Sequence, residues 1–232
     1  MVHSQDVIPE VVDGCKRNTP KLVWVEGLIS SGKTTLVRQV KDLYANDPSV
    51  VFIEEPVELF SSQFNQNPLV LLQTDPHHYS TIIQVLFTKI LSKFYKDLFE
   101  NLPSYVRLVV SDRFLFSCEI FSRCLKSCGY LTEFDYQTVK AVMEDYSLGI
   151  QHPDLIFFLD RPLGWCLNHL GQRNRVGEVE FCTRNYMSQL QLAIEEYLRE
   201  TDTKIVRCRP GCQNDATSCL SSVIDDMLGK SV

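Results

Sequence analysis

Apolar residues along the chain fall into two alternating patterns. Five short runs are dense in branched and aromatic side chains: 21–26 (KLVWVE), 49–54 (SVVFIE), 107–111 (RLVVS), 154–159 (DLIFFL) and 203–208 (TKIVRC). Apolar residues at consecutive positions predict strands covered on both faces, since a strand with one wet face would alternate. Between these runs the spacing changes to three and four. Over 76–100, Ile82, Ile83, Leu86, Phe87, Ile90, Leu91, Phe94 and Leu98 recur at that spacing, which predicts a long amphipathic helix. Further helices are predicted over 33–45, 114–127, 133–147, 161–170, 180–199 and 215–228. Strand alternating with helix specifies an α/β fold, a five-stranded parallel sheet with helices on both faces.

Ligands of such a sheet gather outside the carboxyl ends of its strands, so the residues that end each run carry information. The first run ends in Gly27-Leu-Ile-Ser-Ser-Gly-Lys-Thr-Thr, a complete G-x-x-x-x-G-K-[ST] phosphate loop between a strand and a helix. Gly27 and Gly32 let the backbone of the loop, with Ser30, Ser31 and Thr35, turn its N–H groups toward a polyphosphate. Lys33 then reaches the β and γ phosphates, and the Thr34 hydroxyl is a ligand for Mg²⁺. The second run ends in Glu54-Glu55-Pro56, the third in Asp112-Arg113 and the fourth in Asp160-Arg161. A parallel sheet crowds all of these along one edge.

Composition narrows the partners. A chain of 232 residues without repeats or low-complexity tracts supports one domain over 21–232, preceded by a polar tail over 1–20. The tail lacks the basic and apolar regions of a secretory leader, and no apolar run approaches the ~20 residues that span a bilayer. A cytoplasmic, soluble protein is expected, the nucleus remaining open. The net charge of −6, with no long basic block, argues against a nucleic-acid-binding surface. Nine scattered cysteines suit free thiols in a reducing compartment. Cys124-x3-Cys128 and Cys208-x3-Cys212 have a spacing that is poorly diagnostic of zinc.

Phosphoryl transfer from a bound triphosphate to an alcohol needs Mg²⁺, cations on the migrating group and an acceptor for the hydroxyl proton. Glu55, directed by a buried strand and by Pro56, is the candidate base, and alternation points Glu54 the other way. Asp112 can complete the Mg²⁺ shell and Arg113 can hold the acceptor oxygen, but Asp160-Arg161 has the same form and competes. The segment 171–178, GQRNRVGE, carries Arg173 and Arg175 between glycines and could close as a lid. Gln84, beside Phe87 and Leu91 on the long helix, offers a donor and an acceptor to a nucleobase edge.

Taken in order, the phosphate loop, EEPVE, the DP-x7-Q stretch (Asp75, Pro76, Gln84), DRFLFS and QRNRVGE resemble the deoxyribonucleoside kinase family from residue 21 to about 200. The resemblance implies a P-loop kinase fold, usually dimeric, that moves the γ-phosphate of ATP to the 5′-hydroxyl of a deoxynucleoside. It implies Glu55 as base, Arg113 as its partner, Asp112 near Mg²⁺, and Arg173 and Arg175 as lid arginines. Gln84 falls at the base-reading position, Phe60 at the border of the base, and Glu178 at the sugar 3′-hydroxyl. Gln73 stands where many relatives carry a tyrosine, and Ser122, beside Phe121, where an aromatic often stacks. Leu91 and Cys118 replace the arginine and aspartate of deoxycytidine-kinase-like members, which leans toward thymidine or broad specificity. Adenine contacts are expected near Arg209–Cys212.

Three alternatives bear on the same residues. A thymidylate kinase phosphorylates an anion and needs an added cation where this chain has Glu54 and Glu55, while a dual nucleoside and monophosphate kinase would show itself by a diphosphate product. A catalytically silent relative would have lost Lys33, Glu55 or the lid arginines, all of which are present. A GTPase would carry an N-K-x-D sequence, which is absent.

Overall fold

The computed structural model describes residues 19–63, 67–173, 176–210 and 215–230. Residues 1–18 of the expected tail, Arg175 and Cys212 therefore lie outside the described residues. Five strands, β1 (Lys21–Glu26), β2 (Val50–Ile53), β3 (Leu108–Asp112), β4 (Leu155–Leu159) and β5 (Lys204–Cys208), form one sheet in the order β2-β3-β1-β4-β5. Every pairing is parallel. Each strand lies within a residue of its apolar run.

Side chains alternate across the sheet, so β1 feeds two cores. Leu22 and Trp24 join Val109, Ile156 and Phe158 on one face, while Val23 and Val25 join Val110, Leu155 and Phe157 on the other. Helices α1 (Lys33–Leu43) and α10 (Ala216–Leu228) close the second core through Leu36, Val40, Leu220 and Ile224. The first core is closed by α4 (Pro76–Asn101), α5 (Ser117–Ser127), α6 (Glu133–Ser147) and α9 (Arg184–Glu200). Cys124 belongs to the first core and Cys208 to the second, so these two cysteines do not share one zinc site.

Local chemistry sets the helix ends. Asp75 caps α4 by accepting the His78 N–H at 3.0 Å with Pro76 in the first turn, which fixes Gln84 a little over two turns in. The predicted helix 114–127 starts later, at Ser117, because 114–119 first makes tight turns such as Ser117 N–H to Phe114 O. The predicted 180–199 helix is divided: Thr183 accepts the Tyr186 N–H at 3.3 Å and starts α9, leaving α8 (Glu178–Phe181) as a separate turn. In place of 161–170, α7 spans Leu163–Arg173, so residues 171–173 of the expected 171–178 lid continue a helix, and 174–175 lie outside the described residues. Two seven-residue helices, α2 (Val57–Gln63) and α3 (Pro68–Thr74), have no counterpart in the sequence pattern reading. Among the described residues, no helix is long and apolar enough to cross a membrane.

Candidate active site

The sheet register aligns the chemistry. Val25 pairs with Asp112, Ile53 with Ser111 and Glu26 with Phe158, so β1, β2 and β3 end side by side. The cleft beyond that edge has a volume of about 1170 Å³ and takes in the phosphate loop, Glu55, Arg113, Gln84 and Glu178.

At the loop, a Cβ on Gly27 would lie 2.7 Å from the Leu159 carbonyl oxygen, so no larger residue fits without displacing β4. Gly32 caps α1 with φ of 93°, in the left-handed region that favours glycine. Lys33 is buried and its Nζ donates to the carbonyl oxygens of Gly27 at 2.9 Å and Leu28 at 2.8 Å. Burial, aided by the nearby Arg113 guanidinium and opposed by Glu26, Asp112 and Glu55, pushes its pKa down to about 8. A polyphosphate at the loop would supply the missing negative charge. The hydroxyls of Ser30 and Ser31 are buried without hydrogen-bond partners, so the loop holds unspent polar capacity.

Asp112 is fully buried, and its Oδ2 accepts a hydrogen bond from the Thr34 hydroxyl at 2.5 Å. Its Oδ1 meets no hydrogen-bond partner. A carboxylate oxygen left so typically costs about 1–3 kcal/mol or more, and an orphaned oxygen beside a hydroxyl oxygen is a donor set that fits Mg²⁺ and its waters.

Arg113 ties the edge together. It leaves β3 with φ of 62°, unusual for a residue with a side chain, while its N–H donates to Val25 O at 3.0 Å. Its buried guanidinium donates to Glu26 Oε1 at 2.7 Å, lies 3.4 Å from Glu55 Oε1 and sits over the Phe121 ring at 4.8 Å. Burial opposes its charge, but Glu26, Glu55 and Asp112 outweigh that and raise its pKa. Glu54 faces away from this network into an exposed pair with Arg38, as alternation requires. Burial raises the Glu55 carboxyl pKa above its ordinary value, and Arg113 partly opposes the rise.

Glu26 went unrecognised in the sequence. It is fully buried and accepts hydrogen bonds from Gly27 N–H at 2.8 Å, Arg113 at 2.7 Å and the Ser117 hydroxyl at 2.7 Å. One signal could have found it: a lone acid ending an otherwise apolar strand, in phase with Leu22 and Trp24.

The acceptor side lies between α2, α4, α5 and α8. Gln84 is buried, and the Ser122 hydroxyl, which donates to Cys118 O at 2.7 Å, lies 3.4 Å from its Oε1. Phe60 and Phe87 pack with ring centroids 4.1 Å apart, and Leu91 and Cys118 line the same cleft. Gln73 is exposed on α3 and does not line the cleft. Glu178 is buried, its Oε2 3.6 Å from Arg173 Nε, and both residues line the cleft. The competing pair separates: Asp160 accepts from Arg207 at 3.2 Å and Arg209 at 3.1 Å, while Arg161 turns to the cleft.

Comparison with known proteins agrees with this architecture. The family model for deoxynucleoside kinases matches residues 23–224. Deoxyadenosine kinase of Dictyostelium discoideum is 27% identical over 177 residues, which cover 76% of this chain and 66% of that protein. Deoxyguanosine kinase of the same organism is 26% identical over 189 residues, covering 81% and 62%. The chain thus spans slightly under two thirds of the length of these relatives. Deoxyadenosine kinase from M. mycoides, solved with bound dCTP, superposes with a TM-score of 0.69 at 16% identity, covering 90% of this chain and 100% of that chain. The same protein with bound dATP gives 0.69 at 18% identity, covering 90% and 99%. These structures share the fold.

Proposed function

The chain belongs to the deoxynucleoside kinase family, and from that premise we propose that it transfers the γ-phosphoryl group of ATP to the 5′-hydroxyl of a deoxyribonucleoside. The observation that carries this is the convergence of Lys33, Asp112, Arg113 and Glu55 along one sheet edge, with a buried amide, Gln84, in the same cleft.

The donor polyphosphate takes Lys33 away from the Gly27 and Leu28 carbonyls and meets the loop N–H groups. Mg²⁺, when bound, neutralises phosphate charge, and Thr34 and Asp112 are the residues that would hold it. Glu55 accepts the 5′-hydroxyl proton as the oxygen attacks the γ-phosphorus, and ADP leaves. Arg113, kept charged by Glu26, holds the carboxylate and the attacking oxygen in register. Arg173 and Arg175 bring positive charge to the transferring group, and Glu178 receives the 3′-hydroxyl. Gln84 pairs with the base edge between Phe60, Phe87, Leu91 and Cys118.

We take the base to be a pyrimidine, thymine first, because the pocket presents Leu91 and Cys118 rather than a charged pair. The names of the two Dictyostelium relatives favour a second possibility, a purine. Incubation with Mg·ATP and each of the four deoxynucleosides, or thymidine monophosphate, followed by product separation, tests class and preference together. A nucleoside 5′-monophosphate with ADP is expected, most rapidly from thymidine. Diphosphate from the monophosphate would instead indicate thymidylate kinase activity. Homodimer assembly belongs to the same proposal and is tested by light scattering of the eluting protein.

A further inference from the structure

The Asp160-Arg161 pair, set aside as a rival to Asp112-Arg113, leaves Arg161 unexplained. Its guanidinium lies over the Trp165 ring, 5.6 Å from the centroid, its Nε is buried without a hydrogen-bond partner, and it lines the cleft. One turn further along α7, His169 stacks on Trp165 with centroids 3.6 Å apart and planes 22° apart, and its Nδ1 lies 2.8 Å from the Trp165 carbonyl oxygen. That backing holds the indole in one orientation. The ring tip reaches the phosphate loop: a Cβ on Gly32 would lie 3.8 Å from Trp165 Cη2. Yet Trp165 is 36% exposed, whereas Trp24, the other tryptophan, is fully buried.

A fixed aromatic surface, wet on a cleft wall and abutting the phosphate loop, is placed for the part of the donor that follows its phosphates. The same cleft takes in Gln39 on α1 and Thr217 on α10, whose side chains meet at 3.2 Å. It therefore has room beyond the phosphates for a nucleoside. We propose that Trp165 is the stacking face for the donor nucleobase, with His169 stacked behind it and Arg161, whose guanidinium lies over the ring, moving to present its free N–H to the donor. The proposal rests on the assignment of the loop as the donor site. An aromatic face accepts any base, so it contributes affinity for a nucleoside triphosphate over a bare polyphosphate without choosing among bases.

The test measures binding of Mg·ATP and of magnesium tripolyphosphate by calorimetry to the wild-type protein, Trp165→Leu and Trp165→Phe. Leucine keeps apolar bulk against Gly32 and removes the ring, while phenylalanine keeps a ring. Trp165→Leu is expected to weaken ATP about tenfold while leaving tripolyphosphate within about twofold, and Trp165→Phe to restore ATP to within about threefold of wild type. The KM for the deoxynucleoside should stay unchanged in both. Equal weakening of ATP and tripolyphosphate would reduce Trp165 to a prop for the loop and overturn the proposal, as would unchanged ATP affinity in Trp165→Leu. Wild-type protein that binds ATP yet phosphorylates no deoxynucleoside would refute the proposed function while leaving this binding comparison readable.

Discussion

Arg113 holds its buried charge through Glu26 beneath it. With Glu26 replaced by Ala, a buried guanidinium, the Ser117 hydroxyl and the Gly27 N–H lose a shared acceptor. Glu26→Ala is expected to lower unfolding stability by about 3 kcal/mol in urea titration, the usual scale for breaking a buried pair, and to reduce kcat more than either KM. Gln84 carries a different expectation. Gln84→Ala removes a donor and an acceptor from the acceptor pocket alone, so steady-state kinetics should show the deoxynucleoside KM raised about tenfold and the ATP KM unchanged. Glu54 and Glu55, just past β2, were separable in the sequence because alternation of an extended chain sends neighbours to opposite sides. Glu26 was not, since a single acid at the end of an apolar run looks like the point where a strand meets water. Trp165 and Arg161 were likewise hidden, because what they face depends on how α7 lies over the phosphate loop.

At the scale of elements, α3 and α8 set the acceptor side. Asn67 caps α3 and also donates from Nδ2 to Val176 O at 3.3 Å, just ahead of Glu178. Gly177 sits between them with φ of 80°, and a Cβ there would come within 3.0 Å of Val70 N and 3.1 Å of Leu69 C. Backbone cannot yield as a side-chain tip can. Gly177→Ala therefore combines a left-handed penalty of about 1–2 kcal/mol with a clash, and should shift Glu178 from the position proposed to meet the sugar. The expected outcome is a deoxynucleoside KM raised about fivefold to tenfold with ATP binding retained, read by kinetics and calorimetry. Long elements were legible from periodicity: α4 repeats its apolar stripe from Ile82 to Leu98, nearly five turns, and has a capping Asp75-Pro76 start. The short ones were not, because α2 and α3 have seven residues each and α8 four, too few for a stripe to repeat.

For the whole molecule, parallel pairing is what turns scattered residues into a site. Glu26, Glu55, Asp112 and Arg113 are separated by up to 87 positions along the chain, yet strand register brings them to one edge. Strand runs alternating with helices made that edge legible, whereas strand order and the turn at Arg113 came only with the three-dimensional structure. The assembled edge predicts a pH dependence. Burial raises the Glu55 pKa above 4.5, and only the carboxylate can accept a proton. Activity should therefore fall as pH drops through a value above the ordinary carboxylate range, and that acid limb should be missing from any residual turnover of Glu55→Gln.

The most direct measurement compares wild type and Glu55→Gln for Mg·ATP binding and for formation of thymidine 5′-monophosphate. Binding should stay within about threefold while kcat falls about 10²–10⁴-fold, the range expected for loss of a positioned base. Near-normal kcat in Glu55→Gln would contradict the assignment of Glu55, and wild-type protein yielding no monophosphate from any of the four deoxynucleosides would contradict the function itself.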